Sequence, residues 1–436
     1  VAARVVSRVL REEAFAAAAL EAELERAVQL EPRDRGLATE LTYGTLRVLP
    51  WLREEIGRFA TRGIEGLDDR AQAHMLVAAY QLFFTRVPAF AAVSEAVEAV
   101  RDERGAKLAG FANAVLRKVA ARAARVDDAT RSSALVASTP AWLRAGLERA
   151  LGVEGAAAMV GTAGEAPAVT LRVESGDRDA WLARLREAAP DATFEPGRFS
   201  PRAILARGAG RPQRLPGWEE GAWTVQEEGS QLAALAVDAQ PRDRVLDACA
   251  GRGNKTGVLA RAVGEGGAVD ACDTSPAKLE RLRRELARLG LAPRATYAVD
   301  WTVGAGEVTG DYDRVLVDAP CTGVGTMRHR PEIALRLREE DVAAKAAVQR
   351  SILLRVADRV RPEGVLVYVV CSVLREEAED VVSAFLAARA DFTASPFSAP
   401  AVVAAFGIVP QVRLLPHVHG TDGYFIAHLT RRSVAC

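Results

Sequence analysis

Long apolar runs are missing from this chain of 436 residues. No stretch reaches the ~18 apolar residues that a membrane-spanning helix needs, so no membrane association is expected. Cysteine is scarce. Cys249, Cys272, Cys321, Cys371 and Cys436 are too few to staple a chain of this length, which excludes a disulfide scaffold and predicts a cytoplasmic protein. An excess of charge of one sign is also lacking: 57 basic side chains balance 57 acidic ones, so net charge alone does not announce a nucleic-acid binder. Aromatics are few at 6%, but with 49% hydrophobic and 26% charged residues the chain has the balance of a globular protein, not a disordered one. Lysine is nearly absent: only Lys107, Lys118, Lys255, Lys278 and Lys345 stand among the 57 basic residues. Together with the abundant alanine this reads as codon bias, so arginine content carries no functional meaning and a retained lysine is notable. The first residues, Val1-Ala2-Ala3-Arg4, show no basic stretch followed by an apolar block, so no signal peptide is expected.

The length predicts several domains at roughly 100–200 residues each. Residues 1–128 read as an all-helical bundle. Apolar residues recur at helical spacing in Val5, Leu10, Phe15 and Leu20, in Leu37, Leu41 and Leu46, and in Met75, Leu76, Tyr80 and Phe83, with Pro32, Pro50 and Pro88 as punctuation. From Arg101 to Arg125 seven basic residues face only Asp102 and Glu103, a run that suits either a solvated helix face or a phosphate-binding surface. Residues 129–220 form a connector: a helix opened by Ser138-Thr139-Pro140, a strand 168–173, a helix 177–189 and a Pro/Gly-rich stretch 196–216, together a small α+β subdomain. In residues 221–436, short apolar runs at 244–248, 268–272, 295–299, 314–317 and 365–370 alternate with amphipathic segments at 275–289 and 339–359. That alternation predicts an α/β domain with a doubly wound, mostly parallel sheet. Ligands of such sheets lie beyond the C-terminal strand ends, so the residues after each run are the ones to inspect.

The first run leads into Asp247-Ala248-Cys249-Ala250-Gly251-Arg252-Gly253-Asn254-Lys255-Thr256. Glycines in a strand-to-helix turn let backbone approach a ligand, but a tight turn alone also explains them. The spacing matches neither a Walker loop nor a dinucleotide-binding G-x-G-x-x-G. The second and third runs end in Asp273 and Asp300. Each acid alone suits a cap or turn; acids at three successive strand ends point to a nucleoside cofactor, one positioned for a ribose diol and one for an adenine amino group. The fourth run leads into Asp318-Ala319-Pro320-Cys321-Thr322-Gly323-Val324-Gly325, and the fifth into Cys371-Ser372. Two cysteines thus follow two successive strands. A pair of buried structural thiols is the bland reading. No CxxC or HxxxH spacing adds ligands, so no metal site is expected.

Beside a nucleoside site, a thiolate suggests a particular chemistry. C5 of a pyrimidine is a poor nucleophile until a thiolate adds to C6 and makes it enamine-like. A hydrogen bond or proton at N3 assists, which calls for a carboxyl group, and Asp318 lies three residues before Cys321.

These residues resemble the RsmB (Sun/Fmu) family of bacterial ribosomal RNA cytosine-C5 methyltransferases along nearly the whole chain. The stretch 247–256 looks like D-x-C-A-A-P-G-G-K-T, 318–325 like D-A-P-C-S-G-T-G, and 368–377 like Y-x-T-C-S-x-x-x-x-E. Asp422-Gly423-Tyr424-Phe425 is similar to the family's D-G-F-F, and 225–231 to its V-Q-D-x-A-S-Q. The helical part resembles the NusB RNA-binding fold in 34–47 and 111–118, which raises the weight on 101–125 as an RNA surface. The resemblance implies a Rossmann-like class I methyltransferase domain and S-adenosylmethionine as cofactor, contacted by Cys249, Ala250, Gly251, Arg252, Gly253, Asn254, Lys255, Asp273, Asp300 and Asp318. It implies Cys371 as the nucleophile, Cys321 as an aid to product release and Asp318 as the group at the base edge. The Pro-Cys motif of DNA cytosine methyltransferases would instead select Cys321. The implied partner is 16S rRNA at cytosine 967, before 30S assembly, acted on by a monomer. The chain departs from the family at Gly251, Arg252 and Asn254, which stand for Ala, Pro and Gly, and at His329-Arg330, where Arg-His is frequent. Two other readings remain: the same chemistry on tRNA, and a catalytically silent RNA-binding or ribosome-assembly factor.

Overall fold

The computed structural model describes residues 1–60 and 63–433. It divides into two compact units, residues 1–166 with 327–337, and residues 167–326 with 338 to the C-terminal end.

The first unit is helical: α1 (Ala2–Arg11), α2 (Ala16–Arg26), α3 (Pro32–Arg47), α4 (Leu49–Gly57), α5 (Asp69–Phe84), α6 (Ala89–Arg104), α7 (Ala106–Ala123), α8 (Asp128–Ser138) and α9 (Ala141–Thr162). Local chemistry sets the boundaries. Pro32 starts α3 at a position whose N–H has no helical partner anyway. Asp68 and Asp127 cap α5 and α8 by accepting from the backbone N–H of Arg70 and Thr130. Gly105, at φ +84°, separates α6 from α7. The apolar stripes meet in one core, where Leu46, Leu52, Ile56, Leu76 and Leu116 are fully buried. There Trp51 and Phe83 pack edge to face with centroids 4.8 Å apart.

The second unit holds two sheets. The smaller contains β1 (Val169–Val173), β2 (Thr193–Pro196), β3 (Ala203–Arg207) and β4 (Trp223–Val225) in the antiparallel order β2-β3-β1-β4. Helix α10 (Arg178–Ala188) contributes Leu182 and Leu185 to the core this sheet forms with Leu171, Phe194 and Trp223. Only β1 and α10 were legible as elements in the sequence. The other strands are three to five residues long and interrupted by Pro, Glu and Arg, too short to show a period of two.

The larger sheet follows α11 (Glu228–Leu235). It is built from β5 (Arg244–Asp247), β6 (Ala268–Asp273), β7 (Ala295–Ala298), β8 (Tyr312–Asp318), β9 (Val360–Val370), β10 (Phe392–Ala394), β11 (Gln411–Leu414) and β12 (Tyr424–Arg431). Helices α12 (Asn254–Val263), α13 (Pro276–Arg288) and α15 (Glu339–Val356) connect strands, and α14 (Glu332–Arg336) lies in the segment that packs with the first unit. The order is β10-β12-β9-β8-β5-β6-β7, with β11 also on β12. Strands β9, β8, β5, β6 and β7 run parallel; β12 lies antiparallel on β9. Helices cover both faces, so the central strands read as continuous apolar runs, such as the fully buried Val315–Val317 and Leu366–Val370. The strand order reverses between β5 and β8, and the crevice at such a switch point is where α/β sheets bind ligands.

The excursion 327–337 has no counterpart in the sequence reading. Arg336 Nη2 donates to the carbonyls of Val9 (3.0 Å) and Ala14 (2.6 Å), closing the end of α1. Glu332 accepts from the N–H of Ala16 at 3.3 Å, and Arg47 donates to the Arg328 carbonyl at 3.2 Å. Removing a shared donor leaves two carbonyls short of a partner, which costs about 1–2 kcal/mol. Arg336→Ala should therefore lower the melting temperature in thermal denaturation followed by circular dichroism. An unchanged transition would mean that these bonds do not stabilise the helical unit.

Candidate active site

At the end of β5 the chain turns through a loop that only glycine can follow. Gly251 and Gly253 have φ +57° and +90°. A Cβ on Gly253 would lie 2.7 Å from Leu282 of α13, whereas one on Gly251 would meet no atom within 4 Å, so the loop packs on one side and faces open space on the other. The loop is tied down from neighbouring strands. Ala250 N–H donates to the Cys272 carbonyl at 2.7 Å, and Gly251 N–H to Asp273 Oδ2 at 3.1 Å. The other Asp273 oxygen accepts from Ser275 N–H at 2.9 Å. Asp247 is fully buried and accepts from Thr256 Oγ1 at 2.7 Å; burial pushes its carboxyl up to about 7. Burial likewise pushes the Cys249 thiol up. Asp300, at the end of β7, is exposed and accepts from the Thr302 N–H and hydroxyl, which hold its carboxyl below the usual range. Arg252 is exposed at the tip of the turn.

Across the switch point, Lys255 from the first turn of α12 donates to Asp318 Oδ2 at 2.7 Å. Burial works to lower the Lys255 ammonium, but the Asp318 carboxylate outweighs it and the net shift is upward. The Lys255 Nζ also lies 5.8 Å from the centroid of the Tyr424 ring. Beyond Asp318 the chain reaches Cys321, and beyond β9 it reaches Cys371. The two sulfur atoms are 3.3 Å apart. Contact with Cys371, and then burial, push the Cys321 thiol well up.

Two devices hold the Cys321 loop in place. Glu377 is fully buried and accepts from the Thr322 N–H at 2.9 Å, the Thr322 hydroxyl and Gln349 Nε2 at 3.0 Å. Gln349 also donates to the Pro320 carbonyl at 3.1 Å, so the loop is clamped on both sides of the cysteine. The second device is close backbone approach. Gly325 N–H donates to the Cys371 carbonyl, and the Gly325 carbonyl accepts from Gly423 N–H at 2.8 Å. A Cβ on Gly325 would stand 2.0 Å from the Gly423 carbonyl oxygen.

The sequence reading missed Arg172. This side chain of β1 is buried; it donates to the Asn254 carbonyl at 2.6 Å and to Gln226 Oε1, and pairs with Glu174. Asn254 Nδ2 donates in turn to the Val225 carbonyl at 3.5 Å. The small sheet thus grips the start of α12 at one of the positions where the loop departs from its usual sequence. Arg172 and Asn254 are 82 residues apart, and no local pattern marks the contact. Gln349 was equally silent, whereas Glu377 stood at the end of a quoted motif without a role. Gly325→Ala should cost about 1–3 kcal/mol through overpacking against backbone that cannot step aside. Chemical denaturation should show the loss, and wild-type stability would contradict the close approach.

The arrangement matches known proteins. The model of the 16S rRNA methyltransferase RsmB/F family matches residues 234–430, and that of the NusB family residues 1–121. The chain is 32% identical to the ribosomal RNA small subunit methyltransferase B of Pseudomonas syringae pv. tomato, over 99% of this chain and 96% of that one. Its counterpart of the same name from Erwinia tasmaniensis is 31% identical, over 92% and 91%. Among solved structures, that of PH0851 superposes with a TM-score of 0.83 at 22% identity, covering 98% of this chain and 97% of the other, a likeness of fold. The chain belongs to the RsmB/F family of 16S rRNA methyltransferases, with a NusB-family domain preceding its methyltransferase domain.

Proposed function

We propose that this RNA methyltransferase transfers a methyl group from S-adenosylmethionine to C5 of a cytosine in 16S rRNA, cytosine 967, acting as a monomer on RNA not yet assembled into 30S subunits. The observation that carries the reading is the pair of sulfur atoms, 3.3 Å apart, at the ends of neighbouring parallel strands and beside the Lys255–Asp318 pair.

The cofactor side fits the proposal. The open space in front of Gly251 gives room for a ligand against backbone. The first turn of α12 offers its N–H groups to a carboxylate. Asp273 and Asp300, at the ends of β6 and β7, suit a ribose diol and an adenine amino group. Residues 249–255 supply the floor, and Asp318 faces the donor from the other side of the crevice. When bound, S-adenosylmethionine supplies an electrophilic methyl group.

The target base has to leave its stack to meet the thiol. Cys371 then adds as thiolate to C6, forming the S–C6 bond. Asp318 serves the N3 edge, and Lys255 keeps a proton within hydrogen-bond reach of that carboxyl group. The electron pair released by addition makes C5 nucleophilic, and C5 takes the methyl group. Loss of the C5 proton to a base re-forms the C5–C6 double bond, and the electron pair of the S–C6 bond returns to Cys371. The raised Cys321 thiol is the protonated partner, so its S–H donates to the Cys371 sulfur as that sulfur departs.

Deproteinised 16S rRNA, 30S subunits and bulk tRNA should be compared as methyl acceptors, with nucleoside mass spectrometry and mapping of the modified position. 5-Methylcytidine in free 16S rRNA is the expected product. Label in tRNA alone, or in another nucleoside, would overturn the substrate or the chemistry. Cys371→Ala should lower methyl transfer at least a thousandfold while cofactor binding persists. Cys321→Ala should accumulate a protein–RNA adduct that migrates slowly on a denaturing gel. Turnover by the Cys371 variant, or no adduct with the Cys321 variant, would contradict the assigned roles.

A further inference from the structure

The buried Arg172 and the stretch 225–231 have no part in the chemistry proposed above, yet both converge on one peptide bond. Arg172 reaches from β1 to the first turn of α12, and its side chain is only 3% exposed. Its Nε donates to Glu174 Oε1 at 2.7 Å and its Nη1 to the Asn254 carbonyl at 2.6 Å. Gln226 Oε1 also accepts from Nη1. That amide is oriented in turn by Ser230, whose Oγ accepts from Gln226 Nε2 at 3.0 Å. A Cβ at Gly257 would stand 2.9 Å from Arg172 Nη2, so the guanidinium lies against the helix where no side chain intervenes.

The Asn254 carbonyl belongs to the peptide that joins Asn254 to Lys255. That bond is trans, so fixing the direction of its C=O fixes the Lys255 N–H in the opposite direction. Lys255 lies in the first turn of α12, where N–H groups have no helical partner and point out of the helix start. No acceptor among the described residues takes the Lys255 N–H. A cation on the carbonyl side polarises the peptide and makes that N–H a stronger donor. The Lys255 side chain departs from the same peptide and reaches Asp318.

We propose that Arg172 is a positioning residue for the methyl donor: through the Asn254 carbonyl it aims the Lys255 N–H at the carboxylate of the donor's amino-acid end. Glu174 and Gln226 hold the guanidinium in place, and Ser230 holds Gln226, which gives the stretch 225–231 a part in cofactor recognition. An anion is the group this N–H selects, because it stands at a helix N-terminus with a buried cation behind it. The planar fork is required, because one group must serve a carboxylate, an amide and a carbonyl at fixed angles. The inference rests on the S-adenosylmethionine-dependent reading.

Calorimetric titration of the full chain with two nucleosides tests this role. S-adenosylhomocysteine carries the amino-acid end, and methylthioadenosine lacks it. Arg172→Lys keeps a charge beside Glu174 but loses the fork. It should bind S-adenosylhomocysteine about tenfold more weakly, the loss expected for one charge-assisted hydrogen bond, and methylthioadenosine as tightly as wild type does. Arg172→Met combined with Glu174→Gln leaves neither charge buried alone, and should show the same selective loss if the lysine variant misfolds. Melting curves identify the folded variants. In turnover, the KM for S-adenosylmethionine should rise about tenfold while the KM for RNA stays unchanged. Equal weakening of both nucleosides would mean a loosened fold and would overturn the positioning role, and so would wild-type affinity for both. If the wild-type protein bound neither nucleoside, the cofactor reading itself would fail, a result that no behaviour of the variants can imitate.

Discussion

The pairing of β8 with β9 fixes where two sulfur atoms meet. In that register Asp318 stands opposite Val369, and each chain then needs only a short turn to bring its cysteine to the other. Neither turn holds itself. The loop after β8 carries a proline and two glycines, a composition with no intrinsic preference for one path. Glu377 supplies the preference from behind, through bonds to Thr322 and by way of Gln349 to Pro320. β12 supplies it from the side, because its leading residues approach so closely that only glycine fits at 325. The antiparallel strand added to a parallel sheet thus serves as a wall of the site.

The other half of the crevice is held differently. Strand ends β5, β6 and β7 set the height of the acids, but the path of the loop before α12 depends on groups outside the sheet. Arg172 is a buried cation satisfied by a carboxylate, an amide and a backbone carbonyl, the condition under which burying charge is tolerated. Its planar fork meets several acceptors at once, which a lysine ammonium on a flexible stem would not match. The connector sheet is therefore part of the support of the glycine loop before α12. Asn254 adds a side-chain bond to that support at a position where glycine would add none.

Much of this was legible from the sequence because it is local. The five parallel strands are short apolar runs, and the candidate residues follow their C-terminal ends, where such sheets bind ligands. The acids and both cysteines could be found by looking there. The helical bundle followed from periodicity. What escaped is non-local. Strands β2, β3 and β4 form a sheet only by pairing with one another and with β1. Arg172, Gln349 and the excursion 327–337 act on partners far away in the chain, and their immediate neighbours give no sign of it. Asp300 was legible as an acid at a strand end, but its hydrogen bonds to Thr302 also make it the cap of its own turn.

The harder question was which cysteine attacks. Reactivity toward C6 belongs to a thiolate, and from residue types alone the two thiols were equivalent; the choice of Cys371 came from motif resemblance. The geometry leaves the two sulfurs in contact, with either able to donate to the other. Contact with Cys371 and then burial push the Cys321 thiol up, which favours a proton on that sulfur. Under the proposed mechanism, a proton held on Cys321 lies within reach of the Cys371 sulfur and serves its departure from C6.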